Sequence, residues 1–226
     1  MTFGKIDYIN MLPFHVFLKK SRFSNSFKQS IAYKKNYPAR LNEKLKKRQI
    51  DAAYISSIAS THKSFRTINS GIVAKKAVKS VIIQKGVYEK DPHSATSNIL
   101  AKVLGLEGKV TIGDNALKLY MENPSRYIDL GVAWHIKERV PFVFARLSVN
   151  SHYSFFKKTA DKFKKQKIFI PQYILESYEQ KRGIPKNAIK EYLKLITYDI
   201  DTKAKVGLYR FLRAARLLNL QNQLRL

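Results

Sequence analysis

No cysteine occurs in the 226 residues. That absence excludes a disulfide-stapled scaffold, a thiolate metal site and cysteine nucleophilic catalysis. Histidine is scarce, with five copies, and none stands at metal-ligand spacing, so no metal is expected. There is no phosphate-cradling glycine loop, no His-Glu-x-x-His and no Ser–His–Asp order, and no cofactor is expected. The N-terminus lacks a basic stretch followed by a continuous apolar run, which argues against a secretory leader. No segment approaches the length needed to span a bilayer. The expectation is a soluble, cytoplasmic chain with no membrane insertion. Its oligomeric state is not legible.

Acidic residues are also few, 16 against 43 Lys and Arg, for a formal net charge of +27. Their distribution carries more than their number. Residues 1–79 hold 17 basic and 3 acidic residues, residues 80–150 hold 9 and 7, and residues 151–226 hold 17 and 6. A nearly neutral middle between two basic flanks predicts a discontinuous lobe: the chain leaves it, builds a second, and returns. The charge itself has two readings, nucleic-acid binding or a lysine-rich surface that steers small anions. No helix-turn-helix, zinc-finger or RNA-binding signature is present, and the cations are spread along helical segments. The second reading is preferred, with no nucleic-acid partner expected.

Hydrophobic residues make up 45% of the chain, enough for a sizeable core. Strands are predicted at Phe3–Ile9, Lys28–Tyr33 and Asp51–Ser56, with helices from Pro13 to Lys20 and from Pro38 to Arg48 between them. This alternation is the rhythm of a mostly parallel α/β sheet. A further strand at Val78–Gln84 lies on the charge boundary. A helix opens at Ser94-Ala95-Thr96-Ser97, whose hydroxyls are natural caps and whose free N–H groups suit an anion. Strand signals follow at Lys109–Ile112 and Pro141–Ala145, and the remainder reads as mainly helical, with starts at Pro171 and Pro185.

The ordered pieces resemble the chorismate dehydratase family of the futalosine route to menaquinone. The matching parts are Tyr8-Ile9-Asn10-Met11-Leu12-Pro13, the Asp51–Ser57 strand, Val78-Lys79-Ser80-Val81, Ser94–Ser97, Ile112–Leu117, Asp129-Leu130-Gly131-x-x-Trp134 and Pro141–Ala145. Departures from the family pattern fall at Ser56, at Val132 and at Glu138-Arg139-Val140. The resemblance implies a two-lobe, type II periplasmic-binding-protein-like α/β fold with ligand held between the lobes. Lobe 1 would combine residues 1–79 and 146–226, and lobe 2 residues 80–145. It implies a hydro-lyase acting on chorismate, a small dianion, to give 3-[(1-carboxyvinyl)oxy]benzoate.

Asn10 and Ser80 are the expected catalytic residues, a polar anchor and a carboxylate donor. Asn10 is alternatively a turn former. One of Ser56 and Ser57 is expected to face the cleft, since adjacent strand residues point oppositely; the choice is Ser57. Thr96 and Ser97 are expected to hold a carboxylate at a helix N-terminus, or simply to cap it. Asp114 either orients the leaving hydroxyl or caps the following helix. Trp134 and the Phe142–Phe144 pair are expected in the core. No general base is visible in these motifs, which points to proton abstraction by the substrate's own enolpyruvyl carboxylate. The rival readings are the 1,4-dihydroxy-6-naphthoate synthase of the same route and a non-catalytic small-anion binding protein.

Overall fold

The computed structural model describes residues 1–219, apart from 34, 87, 88, 90, 92 and 93. Strand β1 (Phe3–Ile6) leads through a 3-10 turn (Ile9–Met11) into α1 (Leu12–Lys20). Pro13 sits in the first turn of α1, where its missing N–H has no partner to lose. Then come α2 (Asn25–Tyr33), β2 (Lys35–Asn36), α3 (Pro38–Lys46), β3 (Ala52–Ser56) and β4 (Arg66–Ala74). The middle of the chain forms β5 (Val81–Lys85), α4 (Ala95–Leu104), β6 (Gly108–Ile112), α5 (Gly113–Glu122), β7 (Ile128–Asp129) and α6 (Leu130–Glu138). The chain returns through β8 (Phe142–Val149) to α7 (Tyr153–Lys165), α8 (Gln172–Arg182), α9 (Lys186–Leu193), β9 (Ile196–Asp199) and α10 (Thr202–Leu217).

Two sheets result. The larger has the order β2-β1-β3-β8-β4-β9, and the smaller β6-β5-β7. Among the described strands, only β2, β1 and β3 pair in parallel; the β3–β8, β8–β4 and β4–β9 pairs are antiparallel, as are both pairs of the smaller sheet. The expected parallel rhythm therefore holds for the first three strands and not beyond. The segment Lys28–Tyr33, expected as a strand, lies in α2. Phe27 and Ile31 are both buried and four apart, a helical stripe rather than an alternation. The Ser24 hydroxyl accepts the Phe27 N–H at 3.3 Å, capping that helix. Strand β4 and the edge strand β9 were not foreseen.

On one face of the larger sheet an aromatic cluster ties α1 and α7 to the strands. Phe14 stands edge-on to Tyr54 at 5.2 Å and to Phe163 at 4.9 Å, and Phe3 packs against Phe14 at 5.5 Å. Such geometries place ring edges against ring faces. Trp134 is core, as expected: it is buried against Phe142 and Phe211, which brings α6, β8 and α10 together.

The chain passes between the sheets at residues 75–80 and 139–141. Asp129 holds the first passage. Its Oδ2 accepts the N–H groups of Val78 (2.9 Å) and Lys79 (2.7 Å), while its Oδ1 accepts those of Gly131 and Val132 and so caps α6. One carboxylate thereby fixes a strand entry and a helix start.

Candidate active site

Between the two sheets lies a cleft with about 490 Å³ of empty space, counting its mouth. Its apolar walls come from both sheets: Ile6, Ile72 and Phe144 from the larger, Val81 and Ile112 from the smaller. Its polar groups are Tyr8, Asn10, Ser56, Ser80, Ser94 and Ser97. Among the described lining residues none carries a formal charge, although the chain as a whole has a net charge of +27.

Asn10 sits in the 3-10 turn after β1. Its Oδ1 is buried and has no hydrogen-bond partner within the protein, an unsatisfied acceptor on a residue that lines the cleft. The Asn10 carbonyl accepts from the Tyr198 hydroxyl of β9, which pins the turn to the edge strand. Ser80, at the entry to β5, is 2% exposed, and its Oγ lies 2.7 Å from the Tyr192 hydroxyl. Asn10 and Ser80, expected from the sequence, line the same cleft, and Ser80 is held from behind by a residue that sequence reasoning did not single out. Tyr192 sits on an amphipathic helix, where a tyrosine reads as ordinary core.

Ser56 and Ser57 divide differently from the expectation. The Ser57 Oγ donates to the Val143 carbonyl inside the sheet, and Ser57 is fully buried away from the cleft. Ser56 lines the cleft. Asn42 braces it by accepting the Ser56 N–H and donating to its Oγ, both at 3.2 Å. Thr96 and Ser97 separate as well. Thr96 Oγ1 accepts the Ile58 N–H at 3.3 Å, linking α4 to the loop after β3. Ser97 lines the cleft, and the cap of α4 is Ser94, whose Oγ accepts the Ser97 N–H and donates to the Ser97 Oγ at 2.8 Å. The Ser56 and Ser97 hydroxyls each accept a hydrogen bond from the protein behind them. Each therefore keeps its own proton to offer into the cleft.

Asp114 lies behind the site and does not line it. It stands in the first turn of α5, whose cap is Ile112. Its Oδ1 accepts the Ile9 N–H at 2.9 Å, and Arg182 Nε is 3.2 Å from its Oδ2. Arg182 also reaches the carbonyl and carboxylate of Asp7 at 2.9 and 3.0 Å. Burial pushes the Asp114 carboxyl up to about 6, against the Ile9 N–H and Arg182, which pull it down. Asp114 thereby holds the turn that carries Asn10.

Tyr8 packs its ring on Gly113, where φ is +76° and an added Cβ would stand 2.7 Å from the ring. The Gly113 N–H in turn donates to the Ser80 carbonyl at 2.8 Å. Burial, then Asp91 and Asp114, hold the Tyr8 phenol well above its usual value, so it stays neutral. What this arrangement offers is a neutral pocket with hydroxyl donors, one orphan amide acceptor and apolar walls for a ring. Among its described lining residues there is no side chain suited to act as a general base near neutral pH.

A family described as "Menaquinone biosynthesis" matches residues 1–109 and 92–217. A chorismate dehydratase from Campylobacter jejuni subsp. jejuni is 50% identical over 222 residues, covering 97% of this chain and all of that protein. Among solved structures, protein AF1704 from Archaeoglobus fulgidus aligns with a TM-score of 0.69 at 11% identity, covering 97% of each chain. The periplasmic aliphatic sulphonate binding protein SsuA from Escherichia coli aligns at 0.58 and 11% identity, over 97% of this chain and 87% of that one. The Candida albicans CA3427 gene product, of the generic periplasmic binding protein fold, also gives 0.58, with 12% identity over 96% and 90% of the two chains. These structural likenesses show the fold, a two-lobe periplasmic-binding-protein-like α/β architecture.

Proposed function

The chain belongs to the menaquinone-biosynthesis family that includes chorismate dehydratase, and we propose that its cleft removes water from chorismate as a hydro-lyase. The product is 3-[(1-carboxyvinyl)oxy]benzoate. A cytoplasmic location belongs to the same reading. The observation that carries the mechanism is the absence of any formal charge among the described residues lining the cleft.

The reaction breaks one ring C–H bond and the neighbouring C–OH bond, and the ring becomes aromatic. Something must take the proton, and the substrate brings a carboxylate on its enolpyruvyl arm. In this reading that carboxylate accepts the ring proton, which leaves with the hydroxide as water, so no protein base is consumed. The cleft supplies position. Well-oriented intramolecular reactions gain roughly 7–11 kcal/mol from that alone. The hydroxyls of Ser56 and Ser97 donate to carboxylate oxygens, Asn10 and Ser80 face the leaving hydroxyl, and the apolar walls hold the ring. Holding the arm extended also keeps it out of the folded shape that the competing Claisen rearrangement requires. Binding a dianion with neutral donors leaves the attacking carboxylate basic, whereas an arginine clamp would lower its proton affinity.

The two lobes of this reading are the two sheets with their helices. The proposed lobe 1 takes residues 1–79 and 146–226, and lobe 2 residues 80–145. Residues Phe142–Ala145 enter the larger sheet by pairing with β4, which favours a boundary near Pro141. Closure of the lobes would exclude water from the charged substrate.

The experiment is incubation of the purified protein with chorismate, with products separated by liquid chromatography and weighed by mass spectrometry. An aromatic acid lighter by one water, its enolpyruvyl group intact, is expected. Replacement Asn10→Leu is expected to lower kcat by about a hundredfold or more. Unchanged chorismate, or full activity in that variant, would overturn the reading.

A further inference from the structure

Tyr192 lies in α9, more than a hundred residues from its side-chain partner in the cleft, Ser80. It is 3% exposed and has the Ser80 Oγ at 2.7 Å. A hydroxyl pair at that distance is ambiguous, since either oxygen can donate. The ambiguity matters for chemistry. If Ser80 donates to Tyr192, its proton is spent inside the protein and Ser80 can only accept from substrate.

Burial resolves the direction. The Tyr192 hydroxyl is buried, and among the described residues its one hydrogen-bond partner is the Ser80 Oγ. A buried phenol needs an acceptor for its proton, and Ser80 Oγ is the one within reach. Ser80, having accepted from Tyr192, turns its proton into the cleft that it lines. The sequence is one-way: Tyr192 Oη–H to Ser80 Oγ, Ser80 Oγ–H to the ligand. Burial holds the Tyr192 phenol far above its ordinary pKa, so the phenol keeps the proton it donates.

Resting on the dehydratase reading above, we propose that Tyr192 is a positioning residue that sets Ser80 as the hydrogen-bond donor to the leaving hydroxyl of chorismate. Asn10 Oδ1, which has no hydrogen-bond partner within the protein, is the acceptor for that hydroxyl's proton. A hydroxyl both donates and accepts, and the cleft offers it one group of each kind. As the C–O bond breaks, charge builds on the departing oxygen. The Ser80 proton then strengthens its hold, an interaction larger in the transition state than in the ground state. No proton need transfer from Ser80; the water that leaves carries the ring proton taken up by the substrate carboxylate. Ser56 and Ser97 follow the same rule with Asn42 and Ser94 behind them, so loading a hydroxyl from behind is general in this cleft.

The test is a double-mutant cycle on kcat and KM with Tyr192→Phe, Ser80→Ala and the pair. Tyr192→Phe keeps the ring and its packing and removes only the hydroxyl. It is expected to lower kcat about ten- to a hundredfold while KM moves by less than about threefold. The double variant is expected to lose no more kcat than Ser80→Ala alone, because Tyr192 acts only through Ser80. The product lacks the leaving hydroxyl, so its affinity, measured by calorimetry, is expected to be the same for wild type and Tyr192→Phe. A residue that merely supports the fold would weaken product binding too. Multiplicative losses in the cycle, or a lost product affinity, would overturn the role of Tyr192 and leave the dehydratase reading standing. A wild type that does not dehydrate chorismate sinks both. If Tyr192→Phe is unstable at the assay temperature, the whole cycle is run in the cold.

Discussion

Arg182 Nε stands 3.2 Å from Asp114 Oδ2, joining the last residue of α8 to the first turn of α5 beneath the turn that carries Asn10. The pair is mostly buried, and its carboxylate is the more exposed to a pH change. The Asp114 carboxyl is raised from 3.8 to about 6, chiefly by burial. A carboxyl whose folded pKa is raised favours the folded state when protonated. Its contribution is fully present below about pH 4 and is lost as the pH rises through 6. The stability of wild type relative to Asp114→Asn is therefore expected to fall by up to about 3 kcal/mol between pH 4 and pH 7.5. Urea unfolding at a series of pH values reads this directly, and parallel curves for the two proteins would refute it.

Gly113→Ala is expected to damage both fold and function. The backbone there has φ +76°, and the new Cβ would stand 2.7 Å from the Tyr8 ring. A left-handed alanine costs roughly 1–3 kcal/mol, and Tyr8 must also move out of the cleft wall. Gly105 is the control, because its φ is +68° and nothing lies within 4 Å of an added Cβ. Gly105→Ala should show the strain as a lowered Tm with kcat/KM unchanged, while Gly113→Ala lowers both. Equal kcat/KM in the two variants would remove Tyr8 from the site.

The adjacent serines make a sharper pair. Ser57→Ala removes the hydrogen bond to the Val143 carbonyl, for an expected loss of about 1–2 kcal/mol of stability with kcat/KM intact. Ser56→Ala removes a donor from the cleft, with an expected rise in KM of about tenfold or more and little change in Tm. Steady-state kinetics and thermal melts on both proteins decide it. The reverse assignment would show that Ser57, not Ser56, meets the substrate.

Those serines also show where the sequence stops being readable. Period-two alternation tells faces apart only while a strand continues and only when one face is wet. Strand β3 is buried on every residue and ends at Ser56, so parity could not choose between Ser56 and Ser57. That Asn10 and Ser80 line the cleft was legible because each sits within a recognisable motif beside a strand end. Likewise Pro38, Pro171 and Pro185 marked true helix starts. Ser97 was legible as part of a capped helix start, but Thr96 beside it turned inward to Ile58. Tyr192, Asn42 and Arg182 carried no local signal. Each becomes significant only through a partner far away in the chain, and no window of neighbouring residues contains that fact.

The same long reach governs when the protein becomes competent. The contacts that define the cleft join residues 112 (Ser80–Tyr192), 175 (Asp7–Arg182) and 188 (Asn10–Tyr198) positions apart. Closing loops of that length is the slow part of folding. A chain emerging from the ribosome has Asn10 and Ser80 long before the strand and helix that orient them. Local helices and the first three strands can form early; the oriented hydroxyl line cannot. Until α9 and β9 dock, Tyr192 and Tyr198 are not in place to hold Ser80 and the turn that carries Asn10, so a working cleft waits on the last third of the chain.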